Sequence, residues 1–126
     1  MDGDGYLPSD DLLSEQAYLV ARGVRPLALV GQCPAEPLTL TRVATRVEAQ
    51  AHANAIPFVV DHHDGHASYG YASARWVLDL YEWVVLEEGI PQAQRERIIG
   101  LLLGYAAPAV SQFEEEGSGR RFLPAT

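Results

Sequence analysis

Apolar residues recur along this chain with two different periods, and the switches between them mark the elements. Between residues 9 and 22, Leu12, Leu13, Gln16, Ala17 and Val20 fall on one side of a helix. Ser9 or Asp10 is placed to cap it, and Gly23 is placed to stop it. A short apolar run, 25–31, reads as a buried strand, and 32–38, with Pro34 and Pro37, reads as a loop. Leu40, Val43, Ala44, Val47 and Ala51 then repeat at i, i+3, i+4, i+7 and i+11, which predicts a helix over 39–55. A further helix is expected over 75–88, where Trp76, Leu80 and Trp83 form an apolar stripe. Gly89 and Pro91 separate it from a helix over 92–104, and a last helix is expected from about 108 to 116.

Between the second and third of these helices the period changes to two. Residues 57–73 read as a β-hairpin turning at Asp64-Gly65, a dipeptide suited to the φ > 0 positions of a two-residue type I′ turn. That turn sets His63 opposite His66, Val60 opposite Tyr69 and Phe58 opposite Tyr71. Phe58, Val60, Tyr69 and Tyr71 then share a core face with His62, which the stripe of Trp76 and Trp83 should cover. The opposite face gathers Asp61, His63 and His66. Two imidazoles and a carboxylate form a ligand set suited to zinc or another divalent metal.

The expected fold is a single small α+β domain over 9–116, in the order α-β-α-β-β-α-α-α, with a three-stranded sheet packed by helices. Residues 1–8 read as a flexible acidic leader and 117–126 as a flexible C-terminal tail. At 126 residues the chain is long enough to bury a real core.

Charge narrows the partners. The net charge is −8, and Asp2, Asp4, Asp10, Asp11 and Glu15 concentrate negative charge near the start. This argues against non-specific binding to nucleic acid or anionic membrane. All nine basic residues are arginine. The bias suggests a high-GC genome, hence a bacterium or phage. It also removes P-loop and Schiff-base lysine chemistry. Cys33 is the single cysteine, so neither a disulfide framework nor a paired-cysteine zinc site can form. The longest apolar run, 98–110, is too short to span a bilayer. It fits either a central buried helix or a homodimer surface. Lacking a signal-peptide pattern, the chain is expected to be cytoplasmic.

Three local patterns resemble known motifs. Asp2, Asp4, Gly5, Leu7 and Asp11 resemble the calcium loop of EF-hand and dockerin modules, without its first ligand position. Val59-Val60-Asp61-His62-His63 resembles the strand-closing motif of the DHH phosphoesterases, which implies a manganese-dependent hydrolase using further aspartates. Residues 99–114, with Gly100, Gly104, Val110 and Phe113 in place, resemble the helix-turn-helix of repressor-type DNA-binding proteins. That resemblance implies a regulator built on 95–116, with Ser111 and Gln112 reading bases. The acidic run Glu114, Glu115 and Glu116 opposes phosphate at the same helix.

The leading expectation is a non-enzymatic binding or adaptor protein acting through protein–protein contacts, with a homodimer expected. No catalytic residue and no cofactor are assigned. The alternatives are the helix-turn-helix regulator and a metal-dependent hydrolase on Asp61, His63 and His66.

Overall fold

Seven elements follow one another in the computed structural model, which describes residues 7–104. They are α1 (Asp10–Ala21), β1 (Leu27–Pro34), α2 (Pro37–Ala49), β2 (Ile56–Asp61), β3 (His66–Ala72), α3 (Arg75–Leu86) and α4 (Gln92–Leu102). The sheet is antiparallel throughout, in the order β1-β3-β2, so the hairpin's second strand is central. The fold is thus a small α+β domain. The helix expected over 108–116 lies outside the described residues.

Each face of the sheet carries its own core. On one, Leu13, Ala17 and Val20 of α1 and Val43 and Val47 of α2 pack against Ala28, Cys33, Ala67, Tyr69 and Tyr71. On the other, Val77, Leu78 and Tyr81 of α3 and Leu102 of α4 pack against Leu27, Phe58, Val60 and Ala72. Residues alternate faces along a strand, so β3 gives Tyr69 and Tyr71 to the first core and Ala72 to the second. With helices on both faces and a strand on either side, β3 is buried along nearly its whole length, while β1 and β2 are partly open.

The helix limits follow local chemistry. The Ser9 hydroxyl accepts the Leu12 N–H at 3.1 Å as the N-cap of α1, and Gly23 ends it at φ +79°. Pro37 opens α2, where its missing N–H costs no helical hydrogen bond. The helix stops at Ala49, so Ala51 lies beyond the face that periodicity assigned to it. β1 runs on through Cys33 to Pro34, where a loop was expected. Cys33 is therefore buried, and burial pushes its thiol pKa up. Pro34 is tolerated because Ala35 N–H bonds across to Gly65 O, which turns position 34 towards the open side of an edge strand.

Tyr71 locks α2 to the sheet. Its ring is fully buried and its hydroxyl donates to Val47 O at 2.6 Å. Burial raises its pKa from 10 to about 12. The folded state therefore favours the neutral phenol, and in this window the unfolded chain holds fewer protons. The contribution is intact below pH 10 and is lost as pH climbs towards 12. Urea titrations across that range should show Tyr71→Phe losing less stability with pH than wild type. At pH 7 the variant should be about 1 kcal/mol weaker, because Val47 O keeps only the longer bond from Gln50 N–H. Parallel pH profiles for the two proteins would remove this role.

Candidate functional site

The hairpin turn is wider by one residue than Asp64-Gly65 suggests. His62 N–H donates to His66 O at 3.0 Å, so His63, Asp64 and Gly65 form a three-residue loop. Asp61 Oδ1 accepts the His63 N–H at 2.8 Å and Asp64 Oδ1 accepts the His66 N–H at 3.2 Å. These are the two-residue side-chain turns that Asp favours. They hold His63 at φ 62° and Gly65 at φ 97°.

The register consequently moves by one along the whole hairpin. Val60 faces Ser68, Val59 faces Tyr69 and Phe58 faces Gly70. The expected face of Phe58, Val60, Tyr69 and Tyr71 is therefore split between the two cores. A one-residue slip exchanges the faces of one strand relative to its partner. It also brings His66 to the side of His62, with ring centroids 4.3 Å apart.

A polar chain runs inward from that pair. His62 Nε2 and Ser68 Oγ are hydrogen-bonded at 2.9 Å, and Ser68 Oγ meets Tyr81 Oη at 2.7 Å. Burial and the adjacent His66 hold the His62 pKa below its usual range, favouring the neutral ring. Burial raises the Tyr81 pKa. Ser68 is only 2 % exposed, its hydroxyl held between His62 and Tyr81. Asp61 lies on the opposite face of the sheet from Ser68 and does not orient His62 through the strand. Despite its Ser-His contact, this chain of bonds acts as a polar tie between hairpin and α3.

Of the three expected metal ligands, Asp61 and His63 lie side by side, with Asp61 3.9 Å from His63 Nδ1, and His66 is paired elsewhere, through its Nδ1 with Asp64. Among the described residues no group of three His, Cys, Asp or Glu side chains is arranged to hold one metal ion. Asp2, Asp4 and Gly5 of the calcium-loop pattern lie outside the described residues. Asp11, its last position, sits in the first turn of α1. Ser111 and Gln112, and most of the helix-turn-helix pattern, also lie outside them.

Beside the tip is an open cleft of about 570 Å³, lined among others by His62, His63, Leu86, Glu87, Arg95 and Ile99. Arg95 is turned away from ligand duty. Its guanidinium donates to Val84 O, to Glu87 O at 3.0 Å and to Ile90 O at 3.2 Å, closing the end of α3.

No family model, curated protein or solved structure matches this chain.

The largest departure from the sequence pattern lies on α3. Its buried residues are Val77, Leu78, Tyr81 and Val84, Leu80 packs partly onto the second core, and the two tryptophans of the stripe face outward. Trp76 is 65 % exposed and Trp83 52 % exposed, with Leu86 also on the surface. The two indoles are seven residues apart, two turns and about 10 Å along the axis. The helix is apolar around most of its girth, so periodicity offers two faces. The face that packs carries Tyr81, which bonds Ser68 and meets the Phe58 ring. α4 is the converse: Ile98, Ile99, Leu102 and Leu103 pack onto the second core, leaving Leu101 exposed. No helix among the described residues is long and apolar enough to cross a membrane.

Proposed function

We propose that this chain is a small non-enzymatic binding protein that acts through protein–protein contacts, with the outer face of α3 as its docking surface. The observation that carries the reading is the exposure of Trp76 and Trp83 on one helix face. Tryptophan is among the residues most able to anchor an interface, because it offers large apolar area at low side-chain entropy cost. Asp79 lies between the indoles along the helix and is ion-paired with Arg75, so the face combines apolar area with a neutralised charge.

Self-association belongs to the same reading. Trp76 and Trp83 are placed symmetrically about Asp79 and Leu80. Two antiparallel α3 helices would set each Trp76 beside the partner copy's Trp83, as a two-fold interface requires. The all-arginine basic set suggests a bacterium or phage as the setting, and a cytoplasmic location is part of the proposal.

The Trp76→Ser/Trp83→Ser double variant tests this directly. Both side chains lie outside the cores, so its unfolding midpoint should match wild type to within about 0.5 kcal/mol per site. A partner found on immobilised wild type, then purified and titrated, should bind the variant at least tenfold more weakly by the usual size of an aromatic anchor. Sedimentation should show any dimer of the wild type lost in the same variant. Equal binding and equal association states for the two proteins would reject α3 as the surface.

A further inference from the structure

The outer edge of β2 carries a second surface, independent of α3. His62 N–H bonds to His66 O across the hairpin. Val60, Phe58 and Ile56, paired with Ser68, Gly70 and Ala72, therefore turn their backbone groups towards β3. The alternate residues Pro57, Val59 and Asp61 turn theirs outward. Among the described residues no strand pairs with this edge. Pro57 has no N–H, so the edge offers the N–H groups of Val59 and Asp61 and the carbonyls of all three residues.

Two features distinguish the edge from a bare strand. Beside it, α2 and β2 border a groove of about 220 Å³ lined by Ala44, Val47, Glu48, Pro57, Phe58 and Val59. The Val59 side chain lies on the α2 side of the sheet, in that wall. The edge is also acidic: the Asp61 carboxylate is 41 % exposed at one end, and exposed Glu48 borders the groove.

We infer that the β2 edge is a strand-docking site for an extended, basic and apolar segment of a partner protein, added antiparallel to β2. The partner residue opposite Val59 exchanges both backbone hydrogen bonds with it. The residue two before exchanges both with Asp61, and the residue two after donates to Pro57 O. Side chains at these three positions share the face of Val59. The central one enters the groove against Ala44 and Val47 and is aliphatic. The one opposite Asp61 is arginine or lysine, a favourable cross-strand charge pair. A second copy of this chain fits less well, because it would bring two edges carrying Asp61 and Glu48 together, whereas a basic segment neutralises them.

The probe is a capped peptide, Thr-Arg-Thr-Leu-Thr-Thr-Thr, titrated into the ¹⁵N-labelled full chain at low salt. Saturable shifts of the Val59 and Asp61 amide resonances are expected, together with slowed exchange of those two protons. N-methylation of the leucine, whose N–H faces Val59 O, should weaken binding about tenfold. N-methylation of the preceding threonine, whose N–H faces solvent, should change it about twofold at most. Asp61→Asn should reduce the preference for arginine over glutamine in the peptide. The Trp76→Ser/Trp83→Ser variant should bind the peptide like wild type. The proposal is overturned if the Val59 and Asp61 amides show no saturable response, or if both methylated peptides lose affinity equally. It is also overturned if those amides already exchange slowly in the free chain at every dilution, which would mean that the edge is filled.

Discussion

Gly70→Ala is expected to destabilise the fold by more than about 4 kcal/mol, a size reserved for changes that leave a buried structure no way to relax. Gly70 lies in the central strand β3 at the β-bulge, where β1 register shifts between Leu29 and Gly31. A Cβ built there would be driven into the carbonyl oxygen of Ala28, well inside contact distance, with Val30 N 3.2 Å away. Both obstacles are backbone, and the neighbouring pairs Ala28–Tyr71 and Leu29–Gly70 hold that backbone in the ladder. Gly31→Ala is the informative comparison. Its Cβ would meet the Tyr69 ring, Oη at 2.5 Å and Cζ at 2.9 Å, and a ring can shift where a ladder cannot. Chemical denaturation should show Gly31→Ala clearly more stable than Gly70→Ala. A Gly70→Ala protein within 1 kcal/mol of wild type would falsify the close approach of β1 to β3.

The second large effect is expected at Arg95. One guanidinium of α4 serves three carbonyls, Val84 O in the last turn of α3, Glu87 O at its cap and Ile90 O in the connecting turn. Helix C-termini leave carbonyls without internal partners, and Arg95 supplies charged donors to them. Arg95→Ala should cost about 2–4 kcal/mol, from charge-assisted bonds lost and carbonyls left partly buried without a donor. Arg95→Lys should recover less than half, because a single ammonium cannot span the fork that three separated acceptors need. Thermal melts of the two variants separate this account from one based on bulk alone. Lysine restoring full stability would mean that the side chain acts chiefly by filling space.

The hairpin tip and α3 are where sequence and structure part, and the causes are physical. Asp64-Gly65 is compatible with both a two-residue and a three-residue loop. The choice is made by Asp61 and Asp64 accepting the His63 and His66 amides, bonds that the Asp64-Gly65 dipeptide by itself does not reveal. Moving the register by one residue separates Phe58 and Val60 from Tyr69 and Tyr71, and brings His62 and His66 together. On α3, Trp76, Leu80 and Trp83 keep the helical repeat as well as Val77, Leu78, Tyr81 and Val84 do. Side-chain area alone favours the tryptophans. The packed face is instead the one whose Tyr81 can satisfy Ser68, which the sheet buries.

By itself the sequence determined what depends on neighbours along the chain. The order of elements, the Ser9 cap and Gly23 stop, the buried Val43–Val47 face of α2 and the existence of the hairpin are all local consequences of period and capping. Only the tertiary structure decided what depends on distant partners. It set the β1-β3-β2 order and the outward turn of the tryptophans, and it gave most of the apolar α4 to the core. Each of these choices rests on contacts between groups far apart in the chain: α3 against the hairpin, β1 against β3, and α4 against the second core.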